Sequence, residues 1–273
     1  MTPDSRCARR MLAREALGIG IVDCHGHLGT FANQYIPFAG RADATVAMMD
    51  ELGMKTACVS HCLGIGPDFR EGNRRSCEAA AAHPGRLAVY LAYNPNYPVE
   101  TGLACLEEHA GRPGVVGVKF HTTQHQAAAS DERFAPAWEF ARRRSLVVLS
   151  HTWGVPDILG IEKMARRFPD VPVIMGHSGG YEFAAVAEAM RVARECGNAY
   201  LDLCLSGMFE GLVEKFVSDV GARKVLFGSD IPFIDPRANL GRVVFARIPD
   251  PDKELILREN TRALLARAGF TAP

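Results

Sequence analysis

Two histidines one residue apart, His25 and His27, close the apolar run Ile21-Val22-Asp23-Cys24 and precede a turn at Gly29. Alternate side chains of an extended segment share a face, so both imidazoles emerge together and can hold one ion from a rigid ladder. Neutral imidazole suits Zn²⁺ and similar divalent metals. Asp23 lies on the same face one step deeper, where a carboxylate accepting from a ligand imidazole would fix its tautomer. Four more histidines, His61, His121, His151 and His177, each sit where an apolar run ends, and Asp230 ends the last such run. Of nine histidines, six thus gather at strand exits. The others have plain explanations: His83 and His109 lie at helix ends, where a cation suits the C-terminal dipole, and His125 is in a polar loop.

The elements that must carry these side chains alternate regularly. Apolar runs at 21–28, 56–60, 87–92, 115–120, 146–150, 171–175, 199–204 and 224–230 read as strands. Between them, helical patterns are expected at 43–53, 72–82, 99–110, 131–144, 156–168, 181–196 and 209–220, with a lead-in helix at 8–17 and closing pieces at 238–246 and 252–268. Eight strand–helix units predict a single-domain (β/α)₈ TIM barrel spanning 1–273. The strands lack clean polar alternation, as parallel strands covered on both faces should. A doubly wound open sheet is the alternative, but no Gly-x-Gly-x-x-Gly turn follows the first strand. In a (β/α)₈ barrel the catalytic groups sit at the C-terminal strand ends, where these histidines fall.

Composition narrows the function classes. The chain has 273 residues, 48% hydrophobic and 23% charged, with 31 basic and 31 acidic residues. This balance argues against a nucleic-acid or membrane-surface partner, which would call for a basic stripe. No apolar run reaches the ~18 residues of a membrane span. Met1 to Arg14 is polar and Arg-bearing, so no secretory leader is expected there. The eight cysteines form no Cys-x-x-Cys pair, and several (Cys24, Cys58, Cys204) lie in apolar strand-like runs, as reduced, structural thiols of a cytoplasmic protein would. The expected partner is a small-molecule substrate; self-association into a homo-oligomer is compatible with the composition.

The motifs Val22-Asp-Cys-His-Gly-His27, Gly117-Val-Lys-Phe120, Ser150-His-Thr152, Gly176-His-Ser-Gly-Gly180 and Phe227-Gly-Ser-Asp-Ile-Pro232 occur in this order across nearly the whole chain. As a set they resemble the metal-dependent amidohydrolase superfamily, and within it the amidohydrolase-related branch that includes aminocarboxymuconate semialdehyde decarboxylase and the resorcylate decarboxylases. The resemblance implies one divalent ion per chain, usually Zn²⁺, held by His25, His27, His151 and Asp230, with His177 beside the ion's water. Three neutral nitrogens and one carboxylate leave the open position that marks a catalytic rather than structural zinc site. His177 or Asp230 would then move the proton. The turn Ser178-Gly179-Gly180 would aim His177 into the barrel mouth, and the dipole of the helix opened there would keep it neutral.

Lys119 stands where two-metal members of the superfamily carry a carboxylated, bridging lysine. The branch resembled here normally holds one metal without that bridge, so Lys119 is read instead as a partner for a substrate carboxylate or as a buried, locally paired lysine. Trp153, His61 and Asn94, together with Tyr93 and Phe233, fall on βα loops and are candidates to line a substrate pocket. The expected reaction is hydrolysis of a small amide, lactone or ester. The alternative is non-oxidative decarboxylation of an aromatic or unsaturated acid, for which Arg41, Arg237 and Lys119 are candidate carboxylate anchors. A barrel that binds metal or ligand without turnover is the third reading.

Overall fold

The computed structural model of the chain describes residues 5–31, 34–204 and 209–273. Eight strands pair in sequence order into one parallel sheet: β1 Ile21–Leu28, β2 Met54–His61, β3 Leu87–Ala92, β4 Val115–His121, β5 Val147–Trp153, β6 Val173–Gly179, β7 Ala199–Asp202 and β8 Val225–Leu226. Backbone bonds from β1 to the chain that follows β8 close the sheet on itself: Cys24 N–H donates to Phe227 O at 2.9 Å and His27 N–H to Ile231 O at 2.6 Å. With helices between successive strands, this is the (β/α)₈ barrel that the alternation predicts.

The strands are buried along nearly their whole length because they carry apolar residues on both faces. Val22, Cys24, Cys58, Tyr90, Val116, Leu149 and Leu226 belong to one apolar cluster, while Val59, Val89, Val118, Val148 and Met175 belong to another that includes helix residues such as Trp138, Ile161 and Val186. Period two divides the sequence between the barrel interior and the sheet–helix layer. The first cluster fills the barrel and forms the floor of whatever lies at its mouth. All eight cysteines are buried and free, as small hydrophobes would be. Among the described residues, no helix is long and apolar enough to cross a membrane.

Boundaries differ from expectation where the mouth is built. β5 and β6 run on to Trp153 and Gly179, so His151 and His177 lie inside the ladder instead of after it. β8 shrinks to two residues, and 227–231 follow β1 without regular pairing. One-turn helices not foreseen, Cys62–Ile65 and Thr122–His125, follow β2 and β4; their first turns are capped by the His61 and His121 rings. The lead-in helix is Arg6–Leu12, ending five residues before its expected C-terminal bound because Ala13 and Arg14 already turn toward β1.

Gly117 shows how close the strands of this barrel come. A methyl there would sit 2.3 Å from Val147 O and 2.5 Å from the Tyr90 ring, whereas one at Gly111 would meet nothing within 4 Å. Gly117→Ala should therefore lower the unfolding free energy by about 1–3 kcal/mol. Gly111→Ala should be neutral or stabilising by up to ~1 kcal/mol. Denaturant unfolding of the two variants side by side is the check.

Candidate metal centre

β1 carries His25 and His27 into the mouth, both fully or nearly fully buried. His25 Nδ1 lies 2.7 Å from Asp202 Oδ2, and His27 Nδ1 lies 3.2 Å from the Ser60 carbonyl and 3.1 Å from Ser60 Oγ. A carbonyl or carboxylate can only accept, so each ring places its proton on Nδ1 and turns the Nε2 lone pair inward. Asp230 Oδ1 faces both lone pairs, 3.3 Å from His27 Nε2 and 3.8 Å from His25 Nε2, and is buried without a hydrogen-bond partner. Two donors ~2.0–2.1 Å from a tetrahedral Zn²⁺ stand ~3.4 Å apart. The three atoms therefore have the spacing, and Asp230 the uncompensated charge, that a divalent ion requires; the donor set fits one.

Protonation states favour the same arrangement. Burial holds His25 well below the ordinary histidine range, with the Lys119 ammonium adding to the effect, and burial also lowers His27. For Asp230 burial alone would raise the carboxyl, but His27, His25 and His177 around it prevail and keep it ionised. Two neutral nitrogens and a carboxylate are ready to ligate without first losing protons.

Lys119 enters this centre directly. Its ammonium is fully buried, brought down to about 8 by burial against the pull of Asp230, and lies 2.9 Å from His25 Nε2. It donates to the lone pair that an ion would take, so ion and ammonium compete for one position. A second donor group, His25, His177 and Cys204, shares His25. Burial, with Asp230 and Asp202 nearby, pushes the Cys204 thiol well above its ordinary value, which favours the carboxylate set.

His177 lies near the C-terminal end of β6, its ring 4.9 Å from that of His25 and 4.7 Å from that of His151. The chain there turns through four left-handed residues, His177 (φ 67°), Ser178 (46°), Gly179 (96°) and Gly180 (87°). Two are not glycine, which costs on the order of 1–3 kcal/mol each and is tolerated where surrounding bonds over-determine the backbone. Here Ser178 Oγ donates to Asp202 O at 2.8 Å and His177 Nδ1 donates to Cys204 O at 2.7 Å. His177 Nε2 is thereby left as the free nitrogen. Its neutrality comes from burial, not from the helix dipole, since the next helix begins only at Phe183.

The remaining predicted residues are dispersed. His151 is outside the His25–His27–Asp230 group; its ring stacks on His121 at 4.1 Å and on Trp153 at 5.8 Å. Trp153, over a third exposed, meets His177 edge-on at 5.6 Å and Tyr181 at 4.8 Å, forming an aromatic wall of the mouth. Phe233 stacks on His27 at 4.7 Å and meets Phe31 at 5.5 Å, forming another. His61 faces a separate cavity of about 480 Å³ lined by Arg41, Arg75 and Gly29, where its Nδ1 accepts from Leu63 N–H. Asn94 shapes its own loop by accepting from Asn96 N–H at 3.0 Å. Arg237 pairs with Asp235 beside an apolar pocket of about 250 Å³ behind Phe233. His109 and His125 are buried, not set at a solvated helix end or in an open polar loop.

The tautomer-fixing role expected of Asp23 belongs to Asp202. Asp23 accepts from His25 N–H at 2.9 Å, Ser229 N–H at 3.1 Å and the Ser229 hydroxyl, and burial pushes it up to about 8. The β1–β2 register breaks just after it, which takes Asp23 out of line with the imidazoles. Sequence reasoning missed Asp202. Its signal was there: a carboxylate inside the apolar run Ala199-Tyr-Leu-Asp-Leu-Cys204 has to find a partner when buried.

A family model described as amidohydrolase matches residues 22–267. No curated protein matches the chain. Among solved structures, an uncharacterised TIM-barrel protein from Bordetella bronchiseptica is similar with a TM-score of 0.73 at 18% identity, covering 91% of this chain and 99% of that one. A dihydroxybenzoic acid decarboxylase from a Polaromonas species, with bound manganese and the inhibitor 2-nitroresorcinol, has a TM-score of 0.69 at 17% identity, covering 91% and 97%. A probable 2-pyrone-4,6-dicarboxylic acid hydrolase from Acinetobacter baumannii, with citric acid bound, has a TM-score of 0.69 at 14% identity, covering 91% and 100%.

If the three donors hold an ion, elemental analysis of purified protein should find about one divalent ion per chain, removable by a chelator. His25→Ala should reduce that content to near zero while the barrel still folds. Unchanged metal in this variant would contradict the centre, and two ions per chain would contradict its mononuclear form.

Proposed function

The chain belongs to the amidohydrolase family, and from that premise we propose that it is a metal-dependent hydrolase acting on a small amide, lactone or ester. The observation that carries this reading is the convergence of His25 Nε2, His27 Nε2 and Asp230 Oδ1 on one point at the mouth. In this reading these three residues hold one divalent ion, Zn²⁺ or a similar metal; His151 of the motif Ser150-His151-Thr152, outside that group but with its ring 4.7 Å from that of His177, would be the fourth ligand that the family resemblance implies. An ion held there supplies Lewis acidity for a carbonyl and a nucleophilic water at neutral pH. Asp230, ionised and 3.3 and 3.8 Å from the Nε2 atoms of His27 and His25, would offset one of the ion's two charges. His177, neutral and with Nε2 free, takes a proton from the attacking water and returns it to the leaving group. The edge-on wall of Trp153 and Tyr181 orients a flat substrate above it.

A carboxylate on that substrate would give Lys119 its partner. Once an ion takes the His25 lone pair, the ammonium loses its acceptor, and a buried ammonium needs another. The names of both the Polaromonas decarboxylase and the Acinetobacter hydrolase specify carboxylic acid substrates, which supports an acid here. The same features support the second reading, a non-oxidative decarboxylase, in which His177 would deliver a proton to carbon.

Metal-replete protein should be offered carboxylated lactones, amides and esters alongside aromatic carboxylic acids, in ¹⁸O-enriched water. Incorporation of ¹⁸O into the product is the expected outcome; release of carbon dioxide without it would favour the second reading, and no turnover on either class would favour a binding barrel. With the active substrate, His177→Ala should keep its metal and lose roughly two to four orders of magnitude in turnover.

A further inference from the structure

Asp202 ends β7 and is almost completely buried, yet both of its oxygens are engaged, by groups from β1, from β6 and from the segment that follows β7. Oδ2 lies 2.7 Å from His25 Nδ1 on β1 and accepts from the His177 backbone N–H on β6 at 3.3 Å. Oδ1 accepts from Cys204 N–H at 2.8 Å and faces Cys24 Sγ at 3.7 Å. The peptide of Cys204 presents the carbonyl that receives His177 Nδ1–H at 2.7 Å. The main chain of Asp202 is tied in turn to Ser178 Oγ, by its N–H at 2.9 Å and its carbonyl at 2.8 Å.

We infer that Asp202 is a positioning residue that couples the ion-binding state of His25 to the placement of His177. The inference rests on the proposed reading that His25 ligates an ion. One oxygen serves both histidines. Accepting from Nδ1–H, it fixes the tautomer that points the Nε2 lone pair at His27 and Asp230, and it increases the basicity of that lone pair. Accepting from the His177 amide, the same oxygen holds a non-glycine residue at φ 67°, a conformation the backbone would otherwise leave. The other oxygen anchors the peptide whose carbonyl aims the His177 ring. A shift of His25 toward an ion therefore moves the oxygen that seats the proton-transfer histidine. The site has no slack to absorb such a shift: a methyl on Gly228 would fall 2.1 Å from Asp202 Oδ1 and 2.9 Å from Cys204 Cβ. The absence of a side chain at 228 is what lets the carboxylate stand there.

The test compares wild type with Asp202→Asn and Gly228→Ala. An asparagine is the same shape but can turn an amide N–H toward His25 Nδ1, which would put the ring proton on Nε2 and block the ligand lone pair. Zn²⁺ affinity, measured by competition with a chromogenic chelator, should fall about 10–100-fold in Asp202→Asn, the scale found when such outer partners of a metal ligand are changed. Gly228→Ala, which displaces the carboxylate without removing it, should lower affinity in the same direction. In metal-loaded Asp202→Asn, kcat should fall while KM stays within about twofold, because the substrate wall is untouched. Nitrogen-15 NMR of the histidines in unloaded wild type should find His25 protonated on Nδ1. A residue needed only for folding would lower thermal stability without changing Zn²⁺ affinity per folded molecule or the His25 tautomer. Wild-type affinity in folded Asp202→Asn, or His25 protonated on Nε2 in the wild type, would overturn the role of Asp202. The NMR result decides even if neither variant folds. Failure of the wild type itself to bind Zn²⁺ would overturn the metal reading, and with it this inference, and is distinguished by being seen before any substitution.

Discussion

Asp230 donates its backbone N–H to the carbonyl of His25 at 2.8 Å, and His27 donates its own to Ile231 at 2.6 Å. These bonds join the first strand to the chain that follows the last, and everything at the mouth depends on that seam. They set the carboxylate of Asp230 beside two imidazoles from the opposite end of the sequence. Asp23 reinforces the join from below, gripping the amide and hydroxyl of Ser229. The seam also explains why β8 is so short. A regular strand would point residue 230 by simple alternation, whereas the backbone here leaves the ladder after Leu226 and reaches φ 62° at Asp230. An ordered deviation of this kind needs fixed bonds on either side of it.

Burial then decides what the assembled groups can do. The imidazoles of His25, His27, His121, His151 and His177 are all held below the ordinary histidine range, chiefly because a charged ring would be expensive away from water. The same desolvation raises Asp23 to about 8 and Asp202 to about 6, while Asp230, surrounded by three rings, goes the other way. Three aspartates within one site thus have three environments. One secures the seam, one orients histidines, and one is left with an oxygen lacking a hydrogen-bond partner. In a low-dielectric pocket that oxygen is the strongest local reason for a cation to enter. Lys119, with its ammonium on the His25 lone pair, is the nearest alternative cation, so the centre is balanced between an internal charge and an external one.

Much of the fold was legible in the sequence. Runs such as Leu87–Ala92 and Val115–His121 are apolar on both faces, and glycine or proline separates them from helical stretches, so alternation alone leads to a barrel. The histidines at the strand ends were legible for the same reason, because the C-terminal rim of a barrel is where side chains can meet. Less visible were the strands that overrun their apolar cores. Polar Ser150 and His151 interrupt the apolar run before Thr152-Trp153, and His177-Ser178-Gly179 has no strand-forming residue, so the longer strands rest on pairing with each other. Helix-capping by His61 and His121 was likewise hidden, since it depends on a turn that only the packed loop imposes.

The amino-acid sequence by itself determined the barrel, the placement of His25 and His27 on one face, and the arrival of Asp230 at the same rim, because period-two alternation and strand order are local or additive properties. Tertiary structure decided which carboxylate serves which imidazole. Asp23 is two residues from His25 and looked like its partner, but a register break turns it to Ser229, and Asp202, from β7 two strands away around the closed barrel, takes its place. It also decided that Lys119 reaches the inward lone pair of His25 and that His61 turns away into another cavity. Pairings of this kind span strands that are remote in the chain. They follow from barrel curvature and from the need of each buried polar atom for a partner, and neither is written in the neighbourhood of any one residue.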